Sequence, residues 1–382
     1  MPNSGAAVHI QATLLSVREP SEIMPPTSEK QVIQALSSLV LKPQVAQGPI
    51  RYLSTLSDAN LADVRSMAES HHVVVRALTL VHDEAGDLGF RTLGNWAAQI
   101  LTEEHARIEN AVARLNEVVS TLQSSGCALV VMKSLDHWPD LGNDLDLYTT
   151  APEEEIVRVF TQKLGAHVEA RSWGDRLAKK WNFALPRLRE SVEVHVQRLG
   201  QTGEHRLMAE RFVGRSTVMN VNGFRFPIPA PEERVIVATL QRLYRHFYFR
   251  ICDISNTAAL VESGTIDFDE LQKAADLGGI WPGVCTYLNV VSDYVAQYRG
   301  IGLPLPSQVK SAALFGGEKV SAEKLFLRVP IVPQGASLYT RQVTTTALRG
   351  DVAATFRLSL LPPLASAAAI AYRVTGSDKG IW

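Results

Sequence analysis

Two aspartates stand two positions apart in a segment with the alternating pattern of a β-strand. Residues 144–149 read DLDLYT, and side chains at positions i and i+2 of a strand point to the same face of its sheet. Two carboxylates on one face repel each other unless a cation lies between them. A divalent ion such as Mg²⁺ is the usual solution, because it prefers oxygen ligands and keeps coordination positions for water and phosphate. Asp144 and Asp146 are therefore predicted metal ligands.

A third acid, Glu193, lies in a second predicted strand, residues 191–197, which read SVEVHVQ. If the two strands are neighbours, Asp144, Asp146 and Glu193 could together hold two ions for an in-line phosphoryl displacement. The same alternation is typical of any half-buried strand, so Glu193 could instead be an ordinary surface acid. His195 follows on the same face, but imidazole is a poor ligand for Mg²⁺, which favours a packing or supporting role.

Lys133 and Ser134 directly follow the apolar run CALVVM of residues 127–132, which predicts a buried strand. A strand that leads through a serine into a short helical turn points backbone N–H groups toward an anion. Lys133 would add a point charge to such a phosphate cradle. A single lysine has little specificity, however, and Lys133 could equally do no more than end the strand.

The order of these motifs resembles a known family. An apolar strand, a small residue, a gap of about ten residues, a DxD motif and a distant acid on another strand are typical of the nucleotidyltransferase superfamily of the DNA polymerase β type. Within it, the chain resembles the group often labelled "uncharacterised nucleotidyltransferase", which shows Leu-Lys-Gly, Tyr-Pro-Asp, Asp-Ile-Asp-Leu-Leu-Val and Asp-x-His. The counterparts here are Met132-Lys133-Ser134, Trp138-Pro139-Asp140, Asp144-Leu145-Asp146-Leu147-Tyr148 and Glu193-Val194-His195.

The resemblance extends over roughly residues 95–300 and includes departures from the family pattern. Further counterparts are Arg245-His246, Cys252-Asp253-Ile254 and the segment IDFDEL of residues 266–271. Ser134 replaces the family's glycine, and Glu193 replaces its third aspartate. The tripeptide Leu141-Gly142-Asn143 stands where the family usually has an arginine.

The resemblance implies the transfer of a nucleoside monophosphate from an NTP, such as ATP, to an acceptor, with release of pyrophosphate. It implies Mg²⁺ or Mn²⁺ as the cofactor, held by the predicted catalytic acids Asp144, Asp146 and Glu193. Glu193 would also face the acceptor and could take its proton. The residues expected to bind the nucleotide are Lys133, Ser134, Asn143 and Lys180.

Hydrophobic periodicity predicts an α+β fold, in which a small mixed-sheet core is flanked by N-terminal and C-terminal helical regions. The resemblance implies that this core is a nucleotidyltransferase core. The helical pattern of residues 95–122, with an apolar residue every seven positions, changes to strand patterns at residue 127. The expected segments are a flexible leader (1–29), an N-terminal helical region (30–125), the core (126–228), a helical acceptor or cap region (229–300) and a C-terminal region of unclear role (301–382).

Three local predictions accompany this organisation. Residues 59–81 are expected to form a single helix, and Asn95 is expected to cap the helix that follows it. The dipeptide Asn222-Gly223 predicts a tight hairpin between strands at 216–221 and 224–228.

Composition narrows the classes of partner. The chain has 382 residues, of which 38 are Lys or Arg and 39 are Asp or Glu, for a net charge of −1. This balance disfavours nucleic acid as a partner without excluding it, and favours a small-molecule acceptor. A hydrophobic content of 46% is incompatible with wholesale disorder.

Cysteine usage and hydropathy predict a cytoplasmic protein without a membrane span. The three cysteines lie far apart in the sequence, which indicates a reducing compartment. The N-terminus lacks the pattern of a signal peptide, and the longest apolar stretch, residues 358–372, contains two prolines.

Two alternatives to a small-molecule nucleotidyltransferase stay open. The same chemistry could act on tRNA or on a protein side chain. The chain could also be a catalytically silent binding or regulatory protein that retains the fold. The sequence does not indicate the oligomeric state.

Overall fold

The computed structural model describes residues 26–323 and 325–375. These residues form an α+β protein with a mixed sheet, and helices precede and follow the strands of this sheet along the chain. Most of the expected leader, residues 1–25, lies outside the described residues. Its last residues are not a leader but the start of a helix at Pro26. Proline is favoured at the first helical position, and Glu29 places an acid in the first turn, where the helix dipole favours it.

Most of the described residues are helical. The helices are α1 (Pro26–Leu41), α2 (Gln47–Ser54), α3 (Asp58–Ser70), α4 (Val74–Ala85), α5 (Arg91–Ser124), α6 (Glu153–Arg158), α7 (Trp173–Ala178), α8 (Leu207–Gly214), α9 (Pro231–Thr239), α10 (Ile251–Glu262), α11 (Phe268–Leu277), α12 (Trp281–Arg299), α13 (Ser307–Ala312), α14 (Ala336–Leu348), α15 (Val352–Ser359) and α16 (Leu361–Thr375). In the part of the chain that the structure describes, every helix is too short or too polar to cross a membrane.

The strands form three sheets. They are β1 (Leu129–Met132), β2 (Asp144–Thr149), β3 (His167–Val168), β4 (Lys180–Ala184), β5 (Ser191–Val196), β6 (Ser216–Val221), β7 (Phe224–Pro229), β8 (Tyr248–Phe249), β9 (Ser321–Glu323) and β10 (Phe326–Arg328). The main sheet has the order β1-β2-β5-β4-β3, the pair β6-β7 is separate, and the third sheet has the order β8-β10-β9.

The main sheet is mixed because β2 and β5 are parallel, whereas its other neighbouring pairs are antiparallel. A parallel pair requires a crossover, and the chain makes it through α6, β3, α7 and β4. The predicted α+β class with a mixed-sheet core is confirmed. The predicted bounds of β2, residues 144–149, agree with the structure as well.

The predicted hairpin at Asn222-Gly223 is confirmed. Both residues have positive φ, 48° and 81°, which a two-residue turn of type I′ requires. The hairpin pairs β6 with β7 outside the main sheet, and β7 packs against β1.

Two helix predictions were wrong. Residues 59–81 form two helices, α3 and α4, and the break falls at His71 and His72. The imidazole of His71 accepts a hydrogen bond from the backbone N–H of Ile251 at 3.0 Å and donates to the carbonyl of Leu325 at 2.8 Å. These long-range bonds and the left-handed φ of His72, 50°, end the first helix.

The helix predicted from residue 95 begins earlier, at Arg91, so Asn95 lies inside α5 and does not cap it. The residues of the predicted apolar stripe, Leu101, Ile108, Leu115 and Leu122, are all buried. The stripe packs α5 against β1 and β7, so this long helix supports the strand that leads into Lys133 and Ser134.

Candidate active site

Asp146 and Glu193 lie side by side on the parallel strands β2 and β5, where they are register partners. His195 follows two residues later on the same face of β5. One ligand atom from each of Asp146, Glu193 and His195 can be chosen so that all three lie within 4.8 Å of one another. The structure therefore places two carboxylates and an imidazole from neighbouring strands around one point.

Asp144 lies at the rim of this group. It is the exposed first residue of β2, opposite Ser191, and does not belong to the close cluster. Partial desolvation and the negative charges of Asp146 and Glu193 together raise the pKa of the Asp144 carboxyl to about 6, against the opposing effect of nearby lysines. Asp144 therefore lies within electrostatic reach of both acids, and a bound cation would favour its ionised form.

Lys133 supplies a positive charge between the carboxylates. It follows β1 in a left-handed conformation, with φ of 55° and ψ of −54°. Its Nζ contacts Oδ1 of Asp146 and lies 3.8 Å from Oε1 of Glu193. The Lys133 side chain is only 13% exposed, so this ion pair is shielded from solvent more than a surface pair would be.

Lys180 and His195 also contact Glu193, Lys180 at Oε2 and His195 at Oε1. Nζ of Lys180 on β4 lies 3.0 Å from Oε2 of Glu193 and 2.8 Å from Oδ1 of Asp175. Nε2 of His195 donates a hydrogen bond to Oε1 of Glu193 at 2.7 Å. Burial by itself would raise the pKa of Glu193, but Lys133, this hydrogen bond and Lys180 together hold it well below its usual range.

Ser134 fastens the start of β2. Its buried hydroxyl accepts a hydrogen bond from the backbone N–H of Asp146 at 2.7 Å and donates to the carbonyl of Asp144 at 3.2 Å. The hydroxyl is thus committed to positioning the two aspartates. If Ser134 contacts a triphosphate, its backbone N–H group would make the contact, because its hydroxyl is already hydrogen-bonded.

Asn143 faces a different cavity from the acids. It lines a polar cavity of about 260 Å³ together with Arg107, Asp140 and His72. Arg107 on α5 holds the loop in front of β2 by donating to the carbonyls of Leu141 at 2.9 Å and Gly142 at 3.3 Å. The structure does not bring Asn143 to the acids, although Asn143 directly precedes Asp144 in the chain.

Lys133, Lys180 and His195, which contact the acids, line a cleft whose far wall is α9 and its continuation through residues 240–246. Three neighbouring cavities lie along this wall. The first and second are both lined by His195 and Arg245, and the second and third are both lined by Lys133 and Gln241. The continuation has wide, π-type turns, which are frequent at functional sites. It presents Arg245, an exposed cation, beside Lys180.

Sequence reasoning missed several residues of this cleft. They are Asp136, Asp175, Arg234, Gln241 and Arg245. The sequence did contain a signal for three of them. Arg234, Gln241 and Arg245, on the α9 wall, recur at helical spacing and therefore share one face.

The donor set fits a divalent ion. Asp146 and Glu193 offer the carboxylate oxygens that Mg²⁺ and Mn²⁺ take, and Asp144 lies outside this close cluster but within electrostatic reach of it. Since Lys133 contacts Asp146, an ion bound there would displace the ammonium group.

Comparisons with known proteins give limited information. No family model matches the chain, and no curated protein matches it. Among solved structures, the chain is similar to an antigenic nucleotidyltransferase-like protein from Paracoccidioides brasiliensis, at 15% identity and a TM-score of 0.30. The similarity covers 44% of this chain and 85% of that one. A TM-score of this size carries no argument about the function of the chain.

Proposed function

We propose that the chain is a metal-dependent nucleotidyltransferase that moves a nucleoside monophosphate from an NTP to a hydroxyl group of a small-molecule acceptor. The observation that carries this proposal is the register of β2 and β5, which sets Asp146 beside Glu193. Asp144 lies on the same face of β2, and the cleft in front of these acids is lined by Lys133, Lys180 and Arg245.

Asp144, Asp146 and Glu193 would hold Mg²⁺ or Mn²⁺. Such ions supply electrostatic stabilisation of the attacking and leaving oxygens in phosphoryl transfer. Lys180 and Arg245 would bind the triphosphate, because both line the same cavity. Fixed positive charges there would stabilise the negative charge of the phosphate groups. Lys133 would turn from Asp146 to the phosphates when the nucleotide enters.

The reaction would join the acceptor oxygen to the α-phosphorus and break the bond between the α-phosphorus and the bridging oxygen. Pyrophosphate leaves with the electron pair of that bond. Glu193 would accept the proton of the acceptor hydroxyl, because its carboxylate is ionised and its orientation is set by His195 and Lys180. A carboxylate of low pKa is a weak base, so it would take the proton late, once the forming bond between oxygen and phosphorus has made the hydroxyl proton acidic.

Pyrophosphate release tests the proposal. The full chain is incubated with Mg²⁺ or Mn²⁺, each NTP in turn and a small-molecule cell extract as the source of acceptors. We expect release from the wild type, and a loss of at least about a hundredfold in Asp146→Asn, since this removes a charged ligand at the reacting centre. Glu154→Gln, which changes an exposed acid on α6, is the matched control and should keep full activity.

One observation favours a second candidate, the catalytically silent binding protein. Lys133 and Lys180 already neutralise Asp146 and Glu193, and His195 donates a hydrogen bond to Glu193. For a silent protein we expect no pyrophosphate release with any NTP and no rise in melting temperature when an NTP and Mg²⁺ are added. A transferase should release pyrophosphate with at least one NTP, and its melting temperature should rise when that NTP and Mg²⁺ are added.

A further inference from the structure

A larger cleft adjoins the acid site on the far side of the helical turn Ser134–His137. Its volume is about 510 Å³, which lies within the range of small-molecule sites. Asp136, Arg234 and Asn256 line it, and the same three residues also line the small cavity that contains Lys133. Lys133 contacts Asp146, so the large cleft neighbours the cavity that lies beside the acids.

The polar groups of this cleft are planar and held in place. Nε of Arg234 on α9 donates to Oδ1 of Asp136 at 2.6 Å, and this bond leaves the other guanidinium nitrogens of Arg234 able to donate. Asn256 on α10 is fixed by a 2.9 Å hydrogen bond between its Nδ2 and Nδ1 of His137. Oδ1 of Asn256 is buried and has no hydrogen-bond partner within residues 26–323 and 325–375.

An apolar wall faces these groups. Trp138 and Met219, both half-buried, line the same cleft, and Met219 belongs to the hairpin strand β6. An aromatic face beside paired hydrogen-bonding groups suits a ligand that has C–H bonds on one side and hydroxyl groups at its edge.

Charge argues against a strongly anionic or an apolar occupant. The two cations of the cleft are already compensated, since Arg234 pairs with Asp136 and Arg76 pairs with Asp140 at 3.6 Å. Arg76 also donates to the carbonyls of His137 and Trp138. A purely apolar ligand would cover the second carboxylate oxygen of Asp136 and the remaining N–H groups of Arg234 without offering them partners.

We propose that this cleft binds the acceptor and that the acceptor is a neutral ring bearing several hydroxyl groups, a pyranose sugar. Its C–H face packs on Trp138, and its hydroxyl groups bond to Asp136 and Arg234 beside the fixed amide of Asn256. The role as acceptor rests on the proposed function, whereas the binding itself does not.

Saturation-transfer NMR on the full chain, without nucleotide or metal, tests the binding. The probes are glucose, galactose, mannose, xylose and N-acetylglucosamine, each at millimolar concentration. We expect transfer to the ring C–H protons of at least one sugar in the wild type. Asp136→Asn should weaken the dissociation constant of that sugar about tenfold, because a charged hydrogen bond is lost.

A cavity-filling variant identifies the site. Ala259 is an exposed residue of α10 that lines the cleft, so Ala259→Trp should fold and should reduce the transfer to less than a tenth. The matched control is Ala62→Trp, at an exposed position of α3 away from the cleft, and should bind the sugar as the wild type does. Unchanged binding in Ala259→Trp, or no transfer to any of the five sugars, would overturn the proposal.

The outcome is separable from that of the proposed function. Asp146→Asn should still bind the sugar while it loses pyrophosphate release. If pyrophosphate is released with extract but no sugar binds, the sugar cleft is wrong and the transferase stands. If sugar binds to the cleft but no NTP yields pyrophosphate, the transferase is wrong and the sugar site stands.

Discussion

Lys133 has a backbone conformation that a non-glycine residue adopts at a cost of roughly 1–3 kcal/mol. The contacts of its ammonium group with Asp146 and Glu193 offset this cost. Three acids facing one cleft would otherwise repel each other, so the lysine serves as the counter-ion of the metal-free site. The same contacts make Lys133 a competitor of any divalent ion that binds these carboxylates.

Replacing Lys133 tests this competition. We expect Lys133→Met to bind Mn²⁺ about tenfold more tightly than the wild type, since removing a partly buried competing charge is worth roughly 1–2 kcal/mol. Free Mn²⁺ is measured by electron paramagnetic resonance in the absence of nucleotide. Lys133→Arg, which keeps the charge, should resemble the wild type. Equal or weaker Mn²⁺ binding in Lys133→Met would contradict the role of counter-ion.

At the scale of elements, helices from the N-terminal half of the chain hold the loop in front of β2. Val73, at the start of α4, offers no capping side chain. Asp140, from the Trp-Pro-Asp motif, caps this helix from a distance, because its carboxylate accepts the backbone N–H groups of Val75 at 2.6 Å and Arg76 at 3.4 Å. With Arg107 on α5, this cap ties the loop, and so Asp144, to the helical region.

Removing the distant cap should destabilise the protein. For Asp140→Ala we expect the free energy of unfolding to fall by about 1–3 kcal/mol, since a cap and a buried hydrogen-bond acceptor are lost together. Urea unfolding gives this value. Asp87→Ala, at an exposed position after α4, should change it by less than about 0.5 kcal/mol. Equal effects of the two substitutions would show that the cap does not matter.

At the scale of the whole molecule, the C-terminal helices support a loop of the cleft. Leu199, Gly200, Gln201 and Glu204 line the cavity beside His195. Arg357 on α15 donates to the carbonyl of Thr202 and, at 2.9 Å, to that of Leu177, and the Thr202 hydroxyl donates to the Arg357 carbonyl at 2.9 Å. A segment whose role the sequence leaves unclear therefore packs behind the candidate site.

Hydrogen exchange can detect this support. In Arg357→Ala we expect the backbone amides of residues 199–205 to exchange at least about tenfold faster, because local opening costs less free energy when these bonds are lost. Arg349→Ala, which removes an exposed arginine of the same region, is the matched control. Faster exchange in both variants, or in neither, would argue against a specific contact.

Buried histidines should make the protein sensitive to acid. Burial lowers the pKa of His71 to about 4 and that of His137 to about 3. Folding thus favours the neutral rings, and the unfolded chain binds more protons below its own pKa of about 6.5. Stability is therefore full above about pH 6.5 and is lost as the pH falls toward 4, by up to about 1.4 kcal/mol per pH unit for each histidine.

Urea unfolding at pH 7, 6 and 5 measures this slope. Protonation of His71 would break the bond that its Nδ1 accepts from Ile251. His71→Gln removes the titrating group, so we expect a less stable protein at pH 7 whose stability falls less steeply with acid. The same slope in both proteins would show that His71 does not contribute.

Local patterns predicted those parts of the fold that depend on neighbouring residues. The alternation of residues 144–149 predicted the bounds of β2, and Asn222-Gly223 predicted the hairpin turn, because strand and turn preferences act over a few residues. The split between α3 and α4 escaped prediction. The residues that stabilise it, Ile251 and Leu325, lie far away in the sequence.

By itself, the amino-acid sequence determined which residue types are present and which of them share a strand face. Asp144 and Asp146 share one face of their strand, and Glu193 and His195 share one face of theirs. Only the tertiary structure decided that β2 and β5 are parallel neighbours in the register that pairs Asp146 with Glu193. It also decided that Lys133 lies between these acids, while Asn143 faces another cavity. The reason is physical, since side-chain alternation is a property of a single strand, whereas pairing and charge contacts depend on packing between segments distant in the chain.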